Sequence, residues 1–186
     1  METIKGLKRT NYCGELRIED AGKEVTLFGW CQRQRDLGNL IFIDLRDRTG
    51  LVQLSFNDTT DREVFAKAQS VRAEYVVAAV GTVYERESKT NKIATGDIEI
   101  NVKEFRIISK AETPPFEIAK SEKVGDETTL KYRYLNLRNE KLTQNILMRH
   151  KIAKIAREYF YDNDFIEIET PMMIKSTPEG ARDYVV

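Results

Sequence analysis

The chain has 186 residues, 41% of them hydrophobic and 32% charged, which is enough for one sizeable hydrophobic core or two small ones. Thirty Lys and Arg balance thirty Asp and Glu, so only local patches can argue for a nucleic-acid partner. Two cysteines and one histidine are too few for a zinc site without carboxylates, so we expect no metal. No apolar run approaches the roughly 20 residues that span a bilayer, so we expect no membrane partner. The low number of cysteines is typical of a cytoplasmic protein.

Strand patterns dominate the first part of the chain. Apolar and polar residues alternate in five segments, and apolar residues recur at helical spacing in one segment between the third and the fourth. The strands are predicted at 25–36, 40–47, 51–56, 75–88 and 96–109, and the helix at 60–74, with Thr60 or Asp61 as its N-cap. Residues 47–50 have the composition of a hairpin loop closed by glycine. This order is that of an OB-fold, a five-stranded barrel that commonly binds oligonucleotides.

A change of composition divides the chain after the barrel. Residues 111–129 contain paired prolines and a polar run with neither helical nor strand periodicity. Apolar residues then recur every three or four positions, which predicts an amphipathic helix that ends near residues 162–164, followed by "FIEIETP" as a strand. We therefore predict a barrel domain at 1–110, a linker at 111–140 and a second part at 141–186.

One face of the predicted barrel carries the residue types that single-stranded RNA requires. Aromatic rings stack on bases, guanidinium groups bind phosphates, and amides or carboxylates bind base edges. The candidates, which same-parity spacing can bring together, are Arg33, Arg35, Phe42, Gln53 and Glu99. Phe42 lies opposite the apolar stripe of its strand, as a stacking platform does. The alternative is that Phe42 belongs to the core and that the arginines are ordinary solvated charges.

Three stretches of the sequence resemble bacterial aspartyl-tRNA synthetases. They are "GWCQRQRDLGNLIFIDLRDRTGLVQL", "LKYRYLNLR" and "FIEIETPMMIKSTPEGARDYVV", in the order found in that family. The resemblance implies a mainly β chain: an OB-fold that binds the anticodon, a hinge, and then the first helix and strand of the class II α+β catalytic domain. It also implies that the chain is an N-terminal piece of a longer enzyme.

The resemblance assigns roles on the barrel. Phe42 would stack on the central uracil of a GUC anticodon and Gln53 would bind its edge, while Glu99 would face the first guanine. Arg33 and Arg35 would hold the third base and the backbone. Leu37 resembles the form of the enzyme that charges only aspartate tRNA, whereas a histidine there is associated with relatives that also accept asparagine tRNA.

The resemblance also implies a reaction. The parent enzyme would be an aspartate–tRNA ligase, a homodimer that forms aspartyl-adenylate from aspartate and Mg-ATP and transfers aspartate to tRNA. Pro171 would lie in the dimer interface, and Glu179 would contact the aspartate substrate. Separately from the resemblance, residues 131–157 hold eight basic side chains against one acid, which makes Arg133 and Arg138 candidates for contact with the tRNA backbone. The alternatives for this basic stretch are part of a dimer surface and an ordinary solvated helix face. Motifs 2 and 3 of the family are absent from the sequence, so we assign no catalytic residue and expect the chain alone to be inactive.

Three other interpretations stay open at this stage. The chain is compatible with a lysyl- or asparaginyl-tRNA synthetase, although "TPEGARDY" favours the aspartyl enzyme. It is also compatible with a free-standing OB-fold module that binds single strands generally. The third is a structural dimerisation fragment that uses the apolar stripe of the helix between Leu142 and Tyr159.

Overall fold

A computed structural model describes residues 2–172. Within these described residues, five strands and four helices follow one another. They are β1 (Glu24–Asp36), β2 (Ile41–Arg46), β3 (Leu51–Phe56), α1 (Arg62–Ser70), β4 (Val76–Glu85), β5 (Ile98–Ser109), α2 (Asp126–Lys131), α3 (Arg133–Asn136) and α4 (Glu140–Asp162). Short 3₁₀ helices lie at Cys13–Glu15, Ile18–Asp20 and Ile118–Lys123.

The five strands form a closed barrel in the order β1-β2-β3-β5-β4. The β3–β5 pair is parallel and the other four pairs are antiparallel. Alternate residues of each strand fill the interior: Ile41, Ile43 and Leu45 of β2 are fully buried. The rings of Phe56 and Phe105 meet edge to face inside the core, with centroids 5.1 Å apart. The OB-fold predicted from the sequence is confirmed.

Local capping interactions explain where α1 and the β2–β3 hairpin begin and end. The Asp61 carboxylate accepts hydrogen bonds from the backbone N–H groups of Glu63 and Val64, so the prediction of Asp61 as an N-cap is confirmed. The hairpin is closed by a bond from the Asp47 N–H to the Gly50 carbonyl, and Gly50 has a φ of 151°. The short hairpin loop fixes the register of β2 against β3.

The chain divides into two compact units between Pro115 and Phe116. In the second unit, α4 confirms the predicted helix and reaches Asp162. The strand predicted at 165–171 is wrong for the residues described: residues 165–170 form no strand, and the side chains of Ile166 and Ile168 are 85% and 76% exposed. A strand forms only where a neighbouring strand accepts its hydrogen bonds, and none in residues 2–172 does so.

The segment predicted as a linker, 111–140, includes the short helices α2 and α3 as well as the 3₁₀ helix Ile118–Lys123. Asn139 ends this segment as the N-cap of α4, where its side chain accepts a bond from the Lys141 N–H. In the described part of the chain, no helix combines the length and the apolar character that a bilayer crossing requires.

Candidate nucleic-acid interface

A bulge in β1 determines which side chains face outwards. Val25, Leu27 and Cys31 point into the barrel, and simple alternation would turn Arg33 and Arg35 inwards as well. The register shifts between Cys31 and Arg33, so that Arg33 lies opposite Asp44 and Arg35 lies opposite Phe42. The bulge therefore moves both arginines to the outer surface of the sheet.

Strand pairing brings the predicted residues of β1, β2, β3 and β5 onto one outer surface. Asp44 lies opposite Gln53 across β2 and β3, and Gln53 lies beside Glu99 across the parallel β3–β5 pair. We call this surface the polar face; it consists of Arg33, Arg35, Phe42, Asp44, Gln53 and Glu99. The structure therefore places the five candidates on neighbouring strands of a single surface.

Arg35 connects the polar face. One guanidinium nitrogen donates to Asp44 Oδ1 at 2.8 Å and to Gln53 Oε1 at 3.0 Å. Its guanidinium carbon also lies 5.6 Å from the centroid of the Phe42 ring, within the range of a cation–π contact. Arg35 thus joins three side chains from two other strands.

The Nε of Arg35 is buried and finds no hydrogen-bond partner among residues 2–172. A buried donor without a partner carries a free-energy cost of about 1 to 3 kcal/mol and is uncommon in native proteins. This one lies within the polar face and belongs to a side chain that is 37% exposed overall. A ligand that presents an acceptor here would satisfy it.

Gln53 lies between two charged partners. Its Oε1 accepts from Arg35, and its Nε2 donates to Glu99 Oε2 at 2.8 Å. An amide has one further N–H and one further lone pair, so Gln53 can still form a donor and an acceptor bond to a base edge. These two partners hold the amide in one orientation. Gln53 is also only 4% exposed, which leaves little room for the side chain to turn.

Two residues of this surface were not among the sequence candidates. Asp44 fixes Arg35, as described above. Tyr84 lies opposite Glu99 across β4 and β5, and it is 53% exposed. The signal for Tyr84 was its position in the alternation of β4, where Val77, Ala79 and Val83 are buried and Tyr84 has the opposite parity. Tyr84 therefore adds a second aromatic side chain next to the polar face, beside Glu99.

The remaining site predictions have different outcomes. Arg33 is exposed at the edge of the polar face, Arg133 is exposed in α3, and Arg138 is half-buried just after α3. Pro171 is exposed, and its predicted interface role stays a prediction. Glu179 lies outside the described residues.

The thiols of Cys13 and Cys31 are not placed to act as nucleophiles. Both cysteines are free and buried. Burial raises the pKa of Cys31 to about 12, with the negative charges of Asp44 and Glu74 acting in the same direction, and burial also raises the pKa of Cys13. No group of three or more His, Cys, Asp or Glu side chains is placed to bind a metal ion within residues 2–172.

Comparison with known families divides the chain as its fold does. Residues 25–108 match the OB-fold nucleic acid binding domain family, which corresponds to the barrel. Residues 125–186 match the class II tRNA synthetases for D, K and N.

Similar proteins and structures point in the same direction. An aspartate–tRNA ligase from Ruminiclostridium cellulolyticum is 54% identical over the whole chain, which covers 31% of that protein. An aspartate–tRNA(Asp/Asn) ligase from Caldanaerobacter subterraneus subsp. tengcongensis is also 54% identical over the whole chain and is covered to 32%. The aspartyl-tRNA synthetase structure from Entamoeba histolytica is 27% identical with a TM-score of 0.81, and the match covers 90% of this chain and 40% of that one. The chain thus spans about a third of the length of the curated relatives it matches.

Proposed function

We propose that the chain is part of an aspartyl-tRNA synthetase, because it is 54% identical over its whole length to an aspartate–tRNA ligase of which it covers 31%, and that its barrel recognises the GUC anticodon of the aspartate tRNA. The observation that carries the proposal is the polar face: a half-buried aromatic ring lies beside a connected series of guanidinium, amide and carboxylate groups. These groups cover base stacking, phosphate binding and base-edge readout on one surface.

Phe42 stacks on the central uracil in this proposal, and Gln53 binds the edge of the same base. The free N–H and lone pair of Gln53 match a uracil edge, which presents both acceptors and a donor. Because Gln53 is nearly buried, we infer that Arg35 exchanges its bond to Gln53 for a bond to the RNA when the base arrives. Side-chain rearrangements of this size are common at interfaces.

Glu99 recognises the first base of the anticodon. Its Oε2 accepts from Gln53, which leaves Oε1 for the N–H donors on the Watson–Crick edge of guanine. Guanine presents two donor groups on that edge, N1–H and N2–H, whereas adenine, cytosine and uracil each present only one, so the carboxylate favours guanine. Arg33, exposed on the outer end of β1, contacts the third base or its phosphate.

The whole enzyme would supply the chemistry around this domain. We propose a homodimer that uses aspartate, ATP and Mg²⁺ to form aspartyl-adenylate and then charges the tRNA in the cytoplasm, where free buried thiols like these are usual. Within this chain, Glu179 would contact aspartate, Pro171 the dimer partner, and Arg133 and Arg138 the tRNA backbone. Positioning and charge neutralisation, rather than a side-chain nucleophile, would carry the reaction.

Binding of a fluorescent anticodon stem-loop tests the proposal. We compare the GUC loop with a loop whose central uracil is replaced by adenine, using the wild type and Phe42→Ala. We expect the wild type to prefer GUC by about 1 kcal/mol or more, and we expect Phe42→Ala to lose that preference. Equal binding of the two loops by the wild type would instead identify a general single-strand-binding module.

A further inference from the structure

A second group of aromatic and cationic side chains lies at the β2–β3 hairpin, away from the anticodon-reading groups. The guanidinium carbon of Arg9 lies 4.7 Å from the centroid of the Tyr12 ring and 5.5 Å from that of Phe28. The guanidinium carbon of Arg48 lies 4.9 Å from the same Tyr12 centroid. We call Arg9, Tyr12, Phe28 and Arg48 the tyrosine patch.

Neither arginine of the tyrosine patch forms an ion pair within the described part of the chain. Arg9 donates one hydrogen bond, from a terminal nitrogen to the Phe28 carbonyl at 3.1 Å. Stacking on a ring uses the face of a guanidinium group and leaves the N–H donors at its edge available. Both side chains are exposed, so these edges face solvent.

The carboxylates beside the patch are occupied by backbone donors instead. Asp47 accepts hydrogen bonds from the N–H groups of Cys13 and Thr49, at 2.7 and 2.8 Å, and Glu15 accepts from the N–H of Tyr12 at 3.2 Å. The bond from Cys13 to Asp47 fixes the N-terminal segment against the hairpin, and the other two bonds order each segment locally. With the segments held in this way, Arg9 and Arg48 both lie over the Tyr12 ring, and neither guanidinium group forms an ion pair with these carboxylates.

The location of the patch indicates the ligand. A strand rises about 3.3 Å per residue, so Arg46 at the end of β2 lies roughly 13 Å from Phe42, and Arg48 follows in the hairpin. An anticodon loop bound at Phe42 continues into a stem, an A-form duplex that presents phosphates and 2′-hydroxyls rather than readable bases. Guanidinium groups with free edges bind phosphates in a bidentate manner.

We propose that the tyrosine patch is a second RNA-binding site, in which Arg9 and Arg48 bind backbone phosphates of the anticodon stem and Tyr12 holds both in place. The inference rests on the proposed function, because it takes the anticodon loop to be bound at the polar face. It assigns affinity to the patch and leaves sequence recognition to the polar face.

The test measures the salt dependence of binding for the double variant Arg9→Gln/Arg48→Gln. The control is Lys5→Gln/Lys110→Gln, which removes the same charge at two other exposed positions of the barrel unit. The probes are a GUC stem-loop and a linear oligonucleotide that carries the loop sequence alone. Circular dichroism and thermal melting establish that each variant is folded.

We expect the double variant to bind the stem-loop at least tenfold more weakly at low salt, and the slope of log K against log salt to fall by roughly 0.7 to 0.9 per lost phosphate contact. Its binding of the linear oligonucleotide and its preference for uracil over adenine stay unchanged. An unchanged slope in the double variant, or an equal change in the lysine control, overturns the second site.

The two proposals fail differently in this experiment. A wild type that does not distinguish the GUC loop from its adenine version contradicts anticodon recognition. If the double variant still lowers the slope for the stem-loop in that case, the patch is a phosphate-binding site on a protein without anticodon specificity.

Discussion

Gln53 and Glu99 are hydrogen-bonded side chain to side chain across the parallel pair of strands, with Gln53 Nε2 2.8 Å from Glu99 Oε2. On its other side, the Oε1 of Gln53 accepts from Arg35. A carboxylate on one side and a guanidinium on the other determine which end of the amide is the donor. The amide that we propose to read the base is thus oriented before RNA arrives, which would lower the entropic cost of binding.

Replacing Gln53 by glutamate should test this arrangement. The variant Gln53→Glu loses the donor to Glu99 and places a second carboxylate beside it in a nearly buried position. We expect the free energy of unfolding to fall by about 1 to 3 kcal/mol at pH 7. One carboxyl of such a pair has a raised pKa in the folded state, so the loss should shrink as the pH falls towards the unfolded value near 4.3.

Urea denaturation at pH 7 and pH 4.5 measures the effect, and an exchange of the two residues is the control. In Gln53→Glu/Glu99→Gln the amide on β5 can donate to the carboxylate on β3, which also becomes an ion-pair partner for Arg35. We expect stability to return and the preference for uracil to stay lost. A double variant as unstable as Gln53→Glu would contradict the role given to this hydrogen bond.

Arg35→Lys keeps the charge of the polar face but removes the planar group that reaches Asp44, Gln53 and Phe42 together. An ammonium group cannot donate in the same fork or stack in the same way. We expect affinity for the GUC stem-loop to fall about tenfold, which is about 1.4 kcal/mol. The free energy of unfolding should change by less than about 1 kcal/mol, because the ion pair with Asp44 is partly exposed.

Fluorescence anisotropy measures the affinity, and Arg33→Lys is the matched control on the same strand. Arg33 is exposed and contacts RNA by charge in our proposal, so lysine should substitute for it with little loss. Equal losses in the two variants would show that charge alone, and not the geometry of Arg35, determines binding.

Local periodicity was sufficient to predict the barrel. The buried stripe of Ile41, Ile43 and Leu45 and the helical spacing of Val64, Phe65 and Ala68 come from neighbouring residues in the sequence, and these patterns identify element types directly. The same reasoning placed Phe42 on the surface opposite the buried stripe, and the structure agrees.

Other features depend on contacts distant in sequence. The contact between Gln53 and Glu99 requires the parallel β3–β5 pairing, and the outward turn of Arg35 requires the bulge of β1, neither of which a local pattern specifies. The segment at 165–170 has strand periodicity but no neighbouring strand in the described residues, so the period alone gave a wrong assignment. The tyrosine patch combines residues 9, 12, 28 and 48, which no short motif connects.

Gly29 is predicted to be required for the packing of β1 on β2. A Cβ at this position would lie 2.4 Å from the carbonyl oxygen of Arg46, so Gly29→Ala must displace the end of β2. We expect a loss of about 3 kcal/mol in the free energy of unfolding. Gly22→Ala is the comparison: its φ is +85° but nothing lies within 4 Å, so strain alone should cost about 1 kcal/mol. Equal losses by urea denaturation would contradict the steric explanation.

Asp47 should make stability depend on pH. Burial opposes ionisation of this carboxyl, but hydrogen bonds from the Cys13 N–H and from Thr49 outweigh it and lower the pKa of Asp47. A carboxyl with a lowered folded pKa stabilises the fold above its unfolded value near 3.9. That stabilisation is lost as the pH falls through the folded pKa.

We therefore expect the wild type to lose more stability than Asp47→Asn between pH 6 and pH 3, in urea denaturation at each pH. Asp58→Asn, at an exposed position, should leave the profile of the wild type unchanged. Because Asp47 ties the N-terminal segment to the hairpin that carries Arg48, Asp47→Asn should also weaken binding of the stem-loop while the preference for uracil remains. A parallel pH profile for Asp47→Asn and the wild type would show that this carboxylate does not hold the two segments together.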